Sequence, residues 1–217
     1  MLISFADWSE TEAYLAFSQL IVPRPVAWVL TGNGPPQPAE APQSEGLPLS
    51  GAARWNLAPF SYFNGVTSAP PMLMFSVGDG MAGRLKDTHR NLRRDPHCVV
   101  HIARSTQAQA VQDTAAELPW GVSEVESAGL ALAEWDWPLP RVAEAPVAMG
   151  CVAMQFTPIG DTAQTLIFLR IERVWVQDDI ASFDANGRLV IDIAAYDPLA
   201  RVGRGGYASL GPVVRPR

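Results

Sequence analysis

The stretch from Arg54 to Val77, RWNLAPFSYFNGVTSAPPMLMFSV, decides the fold. It predicts two core strands, Trp55 to Phe63 and Met72 to Val77, with Asn64-Gly65 and Ala69-Pro70-Pro71 supplying the turn chemistry between them. The first strand interleaves small polar side chains with aromatic ones, and its proline removes a ladder donor that an ordinary central strand would keep. We interpret it as an exposed backbone suited to a flat ligand. The second strand is almost uniformly apolar and is expected to be buried on both faces.

Composition and charge restrict the class of protein. The chain has 217 residues, of which 48% are hydrophobic and 18% charged, and this predicts one globular domain spanning residues 1–217. The net charge of -6 disfavours a nucleic-acid partner, because phosphate binding needs a basic face. No apolar run reaches the ~18 residues of a membrane helix. The N-terminus lacks the basic start and cleavage site of a secretory signal, so we predict a cytoplasmic location.

The residues before the deciding stretch predict a helix, a strand and a long loop. Ser9 and Glu12 have the spacing of a capping box, and apolar residues then recur at helical intervals from about Glu10 to Gln19. Val26 to Thr31 is the predicted first core strand. Gly32 to Ala53 is rich in Pro, Ala, Gly and Ser without periodicity, which is typical of a flexible hairpin tip.

The residues after the stretch continue the pattern of strands with few helices. Lys86-Asp87-Thr88 opens a predicted helix that runs to about Arg94, with Asp87 or Thr88 as its N-cap. The sequence then predicts a strand from His97 to Ala103, a helix from Ser105 to Glu117, and an irregular segment from Trp120 to Pro146 that wraps the core. Two long strands follow, Val147 to Phe156 and Thr165 to Gln177. Asn186-Gly187 predicts a type I′ hairpin between Ile180–Phe183 and Leu189–Ile193.

The predicted fold is therefore mainly β with a few peripheral helices, and barrel closure would remove the exposed strand edges. Both cysteines, Cys98 and Cys151, lie in apolar strands and are expected to be buried, inert thiols. His97 and His101 are about 13 Å apart on a strand, too far to share one ion, and we predict no metal.

Several short motifs of the sequence together resemble those of one family. In order they are RPVAW at Arg24 to Trp28, NLAPFSYFN at Asn56 to Asn64, PPMLMFSVG at Pro70 to Gly78, KDTHRN at Lys86 to Asn91 and PLARVGRGGYASL at Pro198 to Leu210. They are similar to the flavin reductase-like family of FMN-binding split β-barrel proteins, which includes flavoredoxin-like members. The resemblance implies FMN as cofactor, a split barrel and a Gly-rich C-terminal tail over residues 198–217. Family members usually have a short turn in place of 32–53; this insertion covers the flavin, contacts a partner subunit or is a tolerated surface loop.

The phosphate of FMN needs positive potential and several donors, and the start of a helix supplies both. Lys86 offers a charge and Thr88 a hydroxyl, while Asp87 would cap the backbone rather than contact phosphate. In the family, the Lys-Asp-Thr motif lies at the flavin site. Without the resemblance, the same three residues would be interpreted as an ordinary helix start.

The flavin ring needs a flat wall with a few short donors. We assign Asn56, Ala58, Phe60 and Ser61 to flavin contact, partly through the main chain, and Asn64 falls within reach if Ser61 does. Because side chains alternate along a strand, not all of these can face the ring. The alternative is that Phe60 belongs to the core and Asn56 closes a turn.

Three further residues are assigned from the resemblance. Arg24 pairs with phosphate, with a carboxylate at a subunit interface, or has a structural role. Thr31 ends the first strand, where a Ser-Thr pair is more usual in the family; here Leu30 precedes it. Tyr207 packs near the flavin of the barrel or of its dimer mate, or anchors the tail at the surface.

The function that the resemblance implies is an FMN-binding oxidoreductase, specifically an NAD(P)H-dependent flavin reductase that transfers hydride to N5 of FMN. No side chain is predicted to be catalytic, because the flavin carries the hydride chemistry. The alternatives are a flavoredoxin-like electron carrier served by a redox partner protein and a flavin-binding protein without turnover. We also predict a homodimer, from the family and from the apolar surface that one small barrel would expose.

Overall fold

The computed structural model describes residues 2–34, 54–80, 83–119 and 122–216. The predicted insertion at 32–53 therefore lies outside the described residues from residue 35 onward. The helices are α1 Glu10–Leu20, α2 Asp87–Arg94, α3 Ala108–Asp113, α4 Glu124–Ser127 and α5 Ile193–Tyr196. The strands are β1 Arg24–Pro25, β2 Ala27–Gly32, β3 Trp55–Phe60, β4 Phe63–Ser68, β5 Pro71–Gly78, β6 His97–Ile102, β7 Leu132–Ala133, β8 Arg141–Val142, β9 Val147–Pro158, β10 Gln164–Val176, β11 Ala181–Phe183, β12 Leu189–Ile191, β13 Ala200–Arg201 and β14 Tyr207–Ala208.

An antiparallel seven-stranded sheet in the order β3-β2-β6-β9-β10-β5-β4 forms the body of the described structure. Its outer strands, β3 and β4, share no ladder in this part of the chain, so the described strands lack the hydrogen-bonded closure that the sequence predicts. The mainly β, split-barrel fold is as predicted. The long strands β9 and β10 form its centre and pair along almost their whole length, with bulges near Leu169 and Arg173.

The sheet has apolar side chains on both faces and so forms two cores. The inner core includes Val29, Phe75, Cys151 and Ile167, with Leu92 of α2 closing one side. The outer core forms around Trp28, Leu57 and Val99 and is covered by Val111 of α3 and by residues of the segment after it. These covering residues are Val125, Leu139, Val142 and Ala145, as expected of a segment that wraps the barrel.

The stretch from Arg54 to Val77 differs from its prediction in two respects. It forms three strands rather than two, because β3 ends at Phe60 and Asn64-Gly65 lies inside β4 rather than in a turn. Gly65 instead precedes a bulge at Val66, which is a common place for a glycine within a strand. The turn at Ala69-Pro70 is as predicted. Strand β5 buries alternate side chains such as Leu73 and Phe75, so only one of its faces is fully covered.

The helices follow the predictions with local corrections. Helix α1 has the predicted capping box between Ser9 and Glu12. The N-cap of α2 is Lys86, not Asp87 or Thr88, and it makes no side-chain capping bond. The predicted helix 105–117 is a 3₁₀ turn, Ser105–Gln107, followed by α3, which ends at Asp113.

The C-terminal tail is more ordered than its glycine content predicts. Strands β1, β13 and β14 form a small antiparallel sheet, so Tyr207 lies in a strand rather than in an irregular tail. Both cysteines are free, as expected, and fully buried, and they face each other across β6 and β9.

Candidate flavin-binding site

A cavity of about 530 Å³ lies between β3, the start of α2 and the segment that follows α3. Its volume is in the usual range for small-molecule and cofactor sites, ~300–1,000 Å³. Strand β3 gives one wall, the residues around the N-terminus of α2 give a charged wall, and α4 contributes a single carboxyl. The described lining residues are Asn56, Ala58, Pro59, Phe60, Gly80, Arg84, Leu85, Lys86, Asp87, Thr88, Arg90, Thr114, Ala115, Ala116, Glu117, Leu118, Pro119 and Glu124.

Strand β3 has one edge that no other strand of the described residues covers. One edge pairs with β2; on the other, the Leu57 N–H donates to Glu124 Oε2 at 3.1 Å and the Ser123 hydroxyl donates to the Trp55 carbonyl at 2.6 Å. Main-chain groups alternate along a strand, so Pro59 falls on this same uncovered edge. The absence of an N–H at Pro59 therefore removes no hydrogen bond to β2, which explains how a proline fits inside this strand.

The polar residues of β3 are fixed by a buried network. The Asn56 amide donates to Thr88 Oγ1 at 2.9 Å and lies 3.3 Å from Thr31 Oγ1. Thr31 also accepts from the Asn91 amide at 3.1 Å. Asn56, Thr31, Thr88 and Asn91 are each at most 3% exposed. This network holds the N-terminal turn of α2 against β3 and so sets the width of the cavity.

The wall around the start of α2 carries the cations of the cavity. Lys86 Nζ lies 3.5 Å from a carboxylate oxygen of Glu117, and Arg90 pairs with Asp87 within the helix. Arg84 also lines the cavity. Lys86 is the only lysine in the chain.

The N-terminus of α2 adds main-chain donors to this charge. The first N–H groups of a helix have no partner within it, and the helix dipole favours an anion at that end. Because the N-cap is Lys86, no side-chain oxygen of the capping residue occupies these groups. The cationic wall and the helix start together form a site suited to a phosphate.

Glu124 is the acid of the cavity whose environment is most unusual. It is 6% exposed, and burial raises the pKa of its carboxyl to about 7; the charge of Asp87 acts in the same direction. Hydrogen bonds from its own N–H and from that of Leu57 oppose this shift. The group therefore changes protonation near neutral pH.

The structure brings most of the assigned flavin residues together. Six line the cavity, namely Asn56, Ala58, Phe60, Lys86, Asp87 and Thr88. Thr31 lies directly behind them, hydrogen-bonded to Asn56. The three β3 residues of this group are alternate positions and share one face, as strand geometry requires.

Besides Thr31, four other assigned residues do not line the cavity. Arg24 is buried in β1 and donates to the carbonyls of Ser18 and Ile21 at the end of α1, which supports its structural alternative. Ser61 lies in the bend after β3. Asn64 is exposed on β4, where its side chain accepts from the Gly65 N–H. The Tyr207 hydroxyl lies 3.3 Å from Gln112 Oε1, and the Arg201 guanidinium stacks on its ring.

Several lining residues were not assigned from the sequence. Arg90 stands four residues after Lys86 on the predicted helix, so helical periodicity could have identified it. Glu117 and Glu124 come to the cavity through the segment after α3, where no sequence pattern indicates their position. The described residues contain no cluster of three or more His, Cys, Asp or Glu side chains able to hold a metal ion.

Comparison with known proteins identifies the family. Residues 18–192 match the model of the flavin reductase like domain, and the chain belongs to the flavin reductase-like family. An uncharacterized protein of Deinococcus radiodurans is 32% identical over 201 residues, which cover 91% of this chain and 81% of that protein.

Solved structures show the same fold. Component B of nitrilotriacetate monooxygenase from Bacillus cereus is 32% identical, with a TM-score of 0.81 over 99% of this chain and 98% of its own. Flavoredoxin of Desulfovibrio vulgaris is 16% identical with a TM-score of 0.69, covering 100% of this chain and 97% of its own, and is similar in fold. No helix among the described residues has the length and apolar character needed to span a membrane.

Proposed function

We propose that this protein is an FMN-dependent oxidoreductase and, specifically, an NAD(P)H-dependent flavin reductase. The observation that supports it most strongly is the cavity that places the uncovered edge of β3 opposite the cationic start of α2. A flat wall facing a phosphate site fits the two ends of FMN. Similarity to a monooxygenase component over nearly the whole chain supports an oxidoreductase.

The residues would divide between the two ends of the cofactor. Lys86, Thr88 and the first N–H groups of α2 would hold the phosphate. Asn56, Ala58 and Phe60 would form the wall beside the ring, with Asn56 fixed by Thr88. FMN, once bound, supplies the ring nitrogen that accepts hydride from NAD(P)H. The protein would position that ring against β3.

Anaerobic addition of NADH, and separately of NADPH, to the FMN-saturated protein tests this proposal. We expect the absorbance of the bound flavin to bleach, and the faster of the two nucleotides identifies the donor. Bound FMN that stays oxidised with both would contradict the reductase. Reduction by an added redox protein alone would then favour a flavoredoxin-like carrier, and no reduction at all would favour a binding protein.

We also propose a homodimer. Helix α1 buries only Ser18 completely, and four of its apolar side chains remain 42% to 70% exposed. These residues, which we call the α1 apolar face, are Tyr14, Leu15, Phe17 and Leu20. An apolar face of this size is typical of a protein contact, and a second copy of the chain would cover it.

The cytoplasmic location, the redox partner, the single domain over 1–217 and the absence of a metal stay predictions.

A further inference from the structure

Glu124 has no cationic partner among the described residues. The cations near it are engaged with other acids: Lys86 pairs with Glu117, and Arg90 pairs with Asp87. The hydrogen bonds to the Glu124 carboxyl come from two neutral donors, the Leu57 N–H, which donates to Oε2, and its own N–H. A buried carboxyl with neutral donors and no cationic partner favours its protonated form, because these donors only partly replace its hydration.

The proton on Glu124 decides the net charge of the cavity. The other titratable groups that line the cavity are Arg84 before α2, Lys86, Asp87 and Arg90 at the start of α2, and Glu117 after α3. The lining residues of β3 are Asn56, Ala58, Pro59 and Phe60, which do not titrate. With Glu124 ionised, three acids balance three bases. With Glu124 neutral, the described lining carries one net positive charge.

An anionic ligand would shift this equilibrium toward the neutral acid. It would displace water from the cavity and add negative charge near the carboxyl, and both effects disfavour a carboxylate. They act in the same direction as burial and Asp87 already act in the free protein. Because Oε2 accepts from Leu57, the proton would lie on Oε1, where it adds a donor to the cavity wall.

We propose that Glu124 is a neutral carboxylic acid in the ligand-bound protein and takes up one proton from solvent when the phosphate-bearing flavin binds. The residue thereby sets how the affinity for FMN depends on pH. It positions the ligand and does not supply a proton to the reaction. This inference rests on the proposed function, since it takes FMN as the ligand.

Equilibrium titration with FMN between pH 7.5 and 9 tests the proposal, because the flavin phosphate, whose pKa is near 6, is almost fully ionised there. For the wild-type protein we expect affinity to fall with rising pH, by up to about tenfold per pH unit. Calorimetry at pH 8 in two buffers of different ionisation enthalpy should show uptake of close to one proton. Glu124→Gln preserves an acceptor for Leu57 and should remove both the slope and the uptake.

Glu126→Gln is the matched control, because Glu126 lies on the same helix and is exposed. It should retain the wild-type slope. A direct readout is the infrared difference between FMN-bound and free protein at pH 8, in which a carboxylic-acid band should appear and be absent from Glu124→Gln. If the affinity for FMN did not change with pH, or changed equally in Glu124→Gln, the proposed role of Glu124 would be overturned, while the proposed function would stand. Failure of the wild-type protein to bind FMN at any pH would overturn the proposed function as well.

Discussion

His101 and Glu124 are buried titratable side chains whose pKa values shift in opposite directions. His101 is fully buried, with Nδ1 donating to the Trp28 carbonyl at 2.9 Å and Nε2 accepting from the Val142 N–H at 3.0 Å. Both nitrogens are satisfied by the neutral ring, and burial lowers the pKa of His101 to about 4. It serves the outer core rather than a metal.

The two groups give stability opposite dependences on pH. In the unfolded chain His101 gains a proton below pH 6.5, whereas in the folded protein it stays neutral down to about pH 4. The contribution of His101 to the free energy of unfolding is therefore lost as pH falls from 6.5 to about 4. Folded Glu124 keeps its proton up to about pH 7 while the unfolded chain releases it above 4.5, so stability is lost as pH rises through that range. The two effects oppose each other between pH 4.5 and 6.5.

Glu124→Gln is therefore expected to change stability only at the higher pH. The variant removes the cost of keeping a buried acid protonated, so its free energy of unfolding should match the wild type near pH 4.5 and exceed it by up to roughly 3 kcal/mol at pH 7.5. Urea unfolding of both proteins at the two pH values measures this. An equal difference at both values would mean that Glu124 ionises normally.

At the scale of elements, the uncovered edge of β3 shows what the sequence reveals and what it omits. Pro59 and the alternation of Asn56, Ala58 and Phe60 identify an unusual strand, and these residues line the cavity. Strand bounds were less predictable: Gly65 has the composition of a turn but precedes a bulge, because pairing with β5 continues past it. Local composition does not show whether a partner strand is present.

The same limit applies to helix caps and covering segments. Lys86 is the N-cap of α2 although Asp87 and Thr88 are better capping residues, because the Thr88 side chain is held by Asn56 instead. The contacts of Glu117 and Glu124 are made over long sequence separations, so no local pattern could place them. Of the four assigned residues that lie away from the cavity, Arg24 and Tyr207 came from the family resemblance. Ser61 and Asn64 came from a strand predicted to run to Phe63, whereas β3 ends at Phe60.

The hairpin between β11 and β12 gives a test at this scale. The sequence predicts a type I′ turn, which needs positive φ at two residues, but only Gly187 has one, at 74°. The loop is instead closed by hydrogen bonds between Asp184 and Arg188 and from the Gly187 N–H to the Asp184 carbonyl. This pattern is typical of a type I turn followed by a glycine bulge.

Gly187→Ala should therefore destabilise the hairpin by about 1 kcal/mol, because alanine is strained in the left-handed region. Asn186→Ala should change stability by less than about 0.5 kcal/mol, since Asn186 keeps an ordinary conformation. Amide hydrogen exchange of β11 and β12 in both variants measures the effect. Equal losses of protection would support the type I′ turn.

At the scale of the whole molecule, the proposed homodimer should dissociate when a charge is introduced on the α1 apolar face. Leu20 is 70% exposed on the α1 apolar face, so Leu20→Glu should leave the subunit folded and shift light scattering to the monomer mass. Phe183→Glu adds the same charge at a side chain that is 73% exposed on β11, outside α1, and should stay dimeric. A wild-type monomer at micromolar concentration would refute the dimer, and a dimeric Leu20→Glu would place its interface elsewhere.

We propose that FMN binds in the cavity between β3 and α2, and the reactivity of Lys86 reports on this binding. Since Lys86 is the only lysine, reductive methylation followed by mass spectrometry reports on this one side chain, with the chain's α-amino group as internal reference. We expect FMN to slow methylation of Lys86 but not of the reference, with half the effect at the dissociation constant obtained from flavin fluorescence. An unchanged rate at Lys86 in the FMN-saturated protein would place the cofactor outside this cavity.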